Sequence, residues 1–74
     1  MKVVEKGQLK GGFKGFRNKE TIFEFFGGGV WQQAEYKYCY YYAYMPDARV
    51  VFEDGEHRIE VDGLNETVRV KQSR

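Results

Sequence analysis

The 74-residue chain carries 12 Lys+Arg against 11 Asp+Glu, with one His, one Cys, one Pro and nine Gly, and 18% of its residues are aromatic. A single cysteine and a single histidine exclude a disulfide framework and a Cys/His zinc site, and no apolar run is long enough for a transmembrane helix. The near-neutral balance argues against phosphate-driven nucleic-acid binding, and the length leaves room for one small domain over residues 1–74.

A chain this short stands close to the limit of independent stability. Scaling rules give an unfolded surface of roughly 12,600 Å² and a folded one of roughly 4,700 Å². If a little over half of the difference is apolar, its burial contributes about 110 kcal/mol at ~25 cal/mol/Å². Ordering the chain costs about 110 kcal/mol at ~1.5 kcal/mol per residue. The two cancel, so further burial has to come from large side chains or from a second subunit. Six Phe, six Tyr and Trp31 supply the large side chains.

In chain order, the start Met1-Lys2-Val3-Val4-Glu5-Lys6 lacks the apolar core of a signal peptide, and with one thiol the expected compartment is the reducing cytoplasm. No window keeps an apolar stripe at 3.6 spacing, whereas Val, Ile, Phe, Tyr and Thr fall in short runs punctuated by Gly. The first strand covers about residues 3–9, and whether it continues through Gly11-Gly12 to Phe16 is open. Gly7, Gly11, Gly12 and Gly15 suggest bulges or bends, with Phe13 and Phe16 packing nearby. Arg17-Asn18-Lys19 is a turn. The next strand, residues 20–26, places Thr21, Phe23 and Phe25 on one face and Ile22, Glu24 and Phe26 on the other. Gly27-Gly28-Gly29 makes a hairpin turn.

Residues 30–44 then run without Gly or Pro until Met45-Pro46-Asp47. As one strand they would span about 50 Å at ~3.3 Å per residue. A strand so long must bend over two sheets or project beyond the body. Residues 49–53 and 57–61 flank Asp54-Gly55, a hairpin signal, and Asp62-Gly63 marks another turn. Residues 67–70 form the last strand, with Val68 and Val70 on one face, before a tail expected to fray. Period 2 assigns Phe23, Phe25, Val50, Phe52, Ile59, Val61, Val68 and Val70 to the core, and Phe52→Ala is expected to cost about 3–5 kcal/mol.

The long run has the most distinctive pattern. Tyr36, Tyr38, Tyr40, Tyr42 and Tyr44 share one face, while Trp31, Gln33, Glu35, Lys37, Cys39, Tyr41 and Ala43 share the other. Tyr suits a surface with an apolar ring and a wet tip. Three roles compete: packing on the chain's own barrel, a subunit interface, or a stacking platform for bases, sugars or a peptide. Five or six short antiparallel strands predict an all-β fold, a small SH3-like barrel with one long bent Tyr-rich strand.

Other chemistry has plain structural explanations. Gly27-Gly28-Gly29 lacks the spacing and the following helix of a nucleotide cradle. Cys39 would need a base to act as a nucleophile, and His57 lies in a different hairpin. Glu53, Asp54, Glu56, Asp62 and Glu66 sit at turns, where carboxylates set geometry and keep the tips soluble. Lys2, Lys6, Lys10, Lys14, Arg17 and Lys19 form an N-terminal basic half-patch that could meet an acidic partner.

The segments Phe13-Lys14-Gly15-Phe16, Thr21-Ile22-Phe23-Glu24-Phe25, Gly29-Val30-Trp31-Gln32-Gln33, the alternating Tyr run to Ala43-Tyr44-Met45-Pro46, and Arg49-Val50 resemble a group of small uncharacterised all-β bacterial proteins, some carried on integron gene cassettes. The likeness spans about residues 7–70. It implies an SH3-like barrel and carries over no catalytic, ligand or cofactor residues. The Gly27-Gly28-Gly29 turn and Cys39 depart from the group's pattern.

The expected function is a non-enzymatic interaction module without cofactor or metal. It forms a homo-oligomer, most simply a dimer, through Trp31 and part of Tyr36, Tyr38, Tyr40, Tyr42 and Tyr44, with Glu35 and Lys37 fixing the register. A protein partner is also open. The alternative is a nucleic-acid or small-ligand binder that adds Lys10, Lys14, Arg17, Lys19 and Lys37 to the aromatic surface. Nucleic acid is the disfavoured partner, and no membrane association is expected.

Overall fold

A computed structural model describes residues 1–73, all-β with no helix among them. The eight strands are β1 (Lys2–Gln8), β2 (Gly12–Phe16), β3 (Ile22–Glu24), β4 (Val30–Gln33), β5 (Cys39–Tyr44), β6 (Asp47–Glu53), β7 (Glu56–Val61) and β8 (Thr67–Gln72). Six form one antiparallel sheet in the order β1-β6-β7-β8-β4-β3, and β2 and β5 form a separate ribbon. The sheet is not closed by a continuous ladder. Just beyond its outer strands an isolated bridge pairs Leu9 with Phe25, with Lys10 N–H donating to Glu24 O and Phe26 N–H to Gln8 O, each 2.9 Å.

The turns follow local chemistry. Asp54 and Gly55 take φ of 56° and 78°, the left-handed pair that a two-residue hairpin between right-twisted strands needs. Gly28, at φ 107°, turns β3 into β4. Gly15 combines φ 94° with the register shift between β2 and β5, and a Cβ there would run into the Cys39 carbonyl. The chain therefore breaks at Gly11 (φ 70°) and begins a separate strand, the second of the two alternatives open for residues 9–16.

The continuous strand over residues 30–44 is corrected. It divides into β4, which pairs with β3 and β8, and β5, which pairs with β2. The largest dimension of the molecule is 29 Å, too short for fifteen extended residues. The break at residues 34–38 is built around Gln33, whose side chain is fully buried. Its Nε2 donates to Glu35 O at 2.8 Å and Lys37 O at 3.2 Å, while its Oε1 accepts from Arg17 N–H at 3.0 Å. One amide thus pairs backbone groups that the missing ladder leaves over.

The core is formed by Leu9, Phe13, Phe16, Phe23, Phe25, Trp31, Ala48, Val50, Ile59, Val61, Val68 and Val70, with Cys39 and Tyr41 of β5 packed against it. Phe16 sits edge-on to Phe13 and Phe23, with ring centres 6.0 and 5.9 Å apart. Phe52 is corrected from core to surface at 39% exposed. It shares the inward face with Val50 but lies beside the Asp54-Gly55 tip, where its ring neighbour is His57 at 4.7 Å. The fraying tail is corrected as well, since Lys71 and Gln72 continue β8 opposite Gln32 and Trp31. Arg74 lies outside the described residues.

Candidate functional site

Period 2 survives the break between β4 and β5. Trp31 and Gln33 are buried, and Glu35, Lys37, Cys39, Tyr41 and Ala43 are half-buried on the same parity. Tyr41 packs at 6.5 Å from Phe13, and its hydroxyl lies against Gly63, where any side chain would collide with it. The other parity gives the largest exposed aromatic group of the molecule. Tyr36, Tyr38, Tyr40, Tyr42 and Tyr44 are each between 55% and 68% exposed.

Tyr40, Tyr42 and Tyr44 project from β5 on the outer face of the β2–β5 ribbon. Their cross-strand neighbours are Gly15 for Tyr40 and Gly12 for Tyr44. The Tyr42 ring lies over Gly12, close enough for a Cβ there to meet it at 3.2 Å. Lying over glycine, the ring is held at its base while most of its surface stays in water. Tyr36 and Tyr38 precede the strand in the 34–38 crossover, so only three of the five are in strand register. Among the described residues none of the five rings stacks on another aromatic ring.

Trp31 does not share this surface. It is 3% exposed, and its Nε1–H donates to Glu5 Oε1 at 2.7 Å. The Glu5 carboxylate occupies the space that a side chain at Gly29 would need, and His57 packs on the indole at 5.2 Å. Glu35 and Lys37 also turn inward. Glu35 Oε2 accepts from Arg69 N–H at 2.9 Å, and Lys37 Nζ donates to Thr67 O at 2.7 Å while pairing with Glu66 at 2.9 Å. Both tie the crossover to β8 and the residue before it through bonds within the chain.

The remaining candidates are dispersed. Cys39 is half-buried opposite Phe16 in the ribbon, whereas the ring neighbours of His57 are Trp31 and Phe52. Glu56 is shared by Arg58 at 3.1 Å and Arg69 at 3.3 Å, and among the described residues no three His, Cys, Asp or Glu side chains converge as metal ligands. Of the basic residues, Lys10 pairs with Glu24 at 3.3 Å, while Lys14 stands exposed on β2 within the ribbon. No helix among the described residues is long and apolar enough to cross a membrane. No family model, curated protein or solved structure matches the chain.

The signal that sequence reasoning lacked was the role of Gln33. It falls on the Trp31 parity, and a polar residue on a core face marks a place where backbone groups need a partner.

Proposed function

We propose that this chain is a non-enzymatic interaction module whose working surface is the tyrosine face, and that the simplest occupant of that face is a second copy of the chain. The observation that carries this reading is the exposure of Tyr36, Tyr38, Tyr40, Tyr42 and Tyr44 on one parity while the opposite parity does all the core packing. Tyrosine brings large, stiff contact area and a hydroxyl that tolerates water, which is why it is enriched at interfaces. No carboxylate stands among these residues on their own parity, so two copies would meet without like-charge repulsion from acidic side chains. A standard interface removes ~800 Å² per partner, about a sixth of this molecule's 4681 Å².

The same proposal includes an SH3-like closure and the affinity with small bacterial cassette proteins. The meeting of Leu9 and Phe25 supports the closure, because it brings the two outer strands of the sheet together. A reducing cytoplasm suits the single free thiol at Cys39.

Sedimentation velocity over a hundredfold concentration range tests the self-association. Wild type is expected to shift from monomer to dimer, and Tyr40→Ser with Tyr42→Ser to remain monomeric with an intact far-UV spectrum. A wild-type chain that stays monomeric at hundreds of micromolar would remove the reading. The alternative, a ligand platform for single-stranded nucleic acid, draws on exposed Lys14 in the same ribbon. It predicts binding that weakens steeply with salt, whereas self-association through tyrosine rings persists.

A further inference from the structure

A second surface lies on the other side of β2. β3 is the last strand of the six-stranded sheet and β2 pairs only with β5, so the two strands face each other without a ladder. Between them runs a groove of about 290 Å³. The buried Phe13 and Phe23 rings, 6.2 Å apart, close it from below, and Ile22 stands exposed at its side. Its rim carries Lys10, Lys14 and Arg17 against a single carboxylate, Glu24. Lys10 and Glu24 are paired at 3.3 Å, and among the described residues Lys14 and Arg17 make no ion pair. The rim therefore keeps two uncompensated positive charges.

The walls offer backbone. Thr21 O accepts from Gln33 N–H at 2.8 Å and Phe25 N–H donates to Gly29 O at 2.9 Å, so the odd-numbered residues of β3 bond into β4. Ile22 and Glu24 consequently turn their peptide groups the other way, toward the groove. The bond from Lys10 N–H takes Glu24 O, where the end of β1 crosses. Ile22 N–H and C=O and Glu24 N–H are left to the groove. On the facing wall Phe13 pairs with Ala43 and Met45 N–H donates to Gly11 O, so Gly12 turns its peptide groups toward the groove too.

We infer that this groove takes an extended peptide with acidic side chains, which adds as a strand along Ile22–Glu24 and sets its carboxylates against Lys14 and Arg17. Alternating donors and acceptors match a peptide backbone. Exposed Ile22 meets the apolar side chains of one parity, and the two free cations select acidic residues on the rim. The volume is at the low end for a ligand pocket, and the wall along which a strand would add is the three residues of β3. The inference is independent of self-association, because the tyrosine face is the outer face of the ribbon and the groove is its edge.

A fluorescein-labelled peptide of four Val-Glu repeats, followed by anisotropy and by amide resonances, tests it. Saturable binding is expected, with the Ile22 and Glu24 amides shifting. Four Val-Gln repeats should bind about tenfold more weakly, the loss expected for two exposed ion pairs. The double variant Lys14→Glu, Arg17→Glu should lose the Val-Glu peptide by about tenfold and gain four Val-Lys repeats, an exchange that an unfolded chain cannot produce. Equal binding of a Val-Glu peptide methylated at alternate backbone nitrogens would overturn the strand-addition geometry. Absence of saturable binding at millimolar peptide, or the same Ile22 and Glu24 shifts with inorganic phosphate alone, would overturn the inference altogether.

Discussion

Gln33 decides more of this structure than any single aromatic residue. Its amide joins Arg17 N–H, Glu35 O and Lys37 O, three backbone groups outside any strand ladder, in a position without solvent. Gln33→Leu keeps the volume and removes every side-chain bond, so these groups lose their partner. Each buried unsatisfied group costs ~1–3 kcal/mol, and the variant is expected to lose about 3 kcal/mol in urea denaturation. A glutamine that could be replaced without effect would mean that water serves those groups equally well. Phe16 and Phe52 make the complementary comparison. Phe16 is fully buried between two rings, and Phe16→Ala should cost about 3–5 kcal/mol. Phe52 touches His57 at the rim, so Phe52→Ala should cost about 1 kcal/mol, well under the sequence-based expectation. The ratio of the two losses, measured in one denaturant series, checks the assignment of the core.

At the scale of elements, the β2–β5 ribbon depends on one backbone position. Gly15 has φ 94° and no room for a Cβ beneath the Cys39 carbonyl. Gly15→Ala therefore meets both conformational strain and a backbone collision, and it is expected to cost at least ~3 kcal/mol, released by detaching the ribbon. Amide exchange should show protection falling first in β2 and β5 while β6 and β7 hold; uniform loss across all eight strands would contradict a separable ribbon. The elements most legible in the sequence were those with local causes. The Asp54-Gly55 hairpin, the Gly27-Gly28-Gly29 turn and the alternation of Thr21, Phe23 and Phe25 depend on residues a few positions apart. The division of residues 30–44 was not legible locally, because nothing between Gln33 and Cys39 breaks a strand by propensity. It comes from Arg69, Thr67 and Arg17, which meet the crossover only after the chain has folded.

For the whole molecule, a near-cancellation of burial and chain entropy makes association matter. The observed surface of 4681 Å² agrees with the scaling expected for a folded chain of this size, so the lone chain gains no unusual burial. If two copies share the tyrosine face, the melting temperature should rise with concentration, since mass action stabilises any state that a partner binds. Differential scanning calorimetry from 10 µM to 1 mM reads this directly; a melting temperature constant over about two decades would refute it. Sequence by itself determined the all-β class, the inward parity of Phe23, Phe25, Val50, Ile59, Val61, Val68 and Val70, and the common face of Tyr36, Tyr38, Tyr40, Tyr42 and Tyr44. Those properties follow from the two-residue repeat of a pleated strand, which is written into neighbouring residues. Only the tertiary structure decided that this tyrosine face looks outward, that Trp31 is core and that Phe52 is rim. Each of those depends on what lies across the sheet or beyond its end, and that is set by contacts between residues distant in the chain.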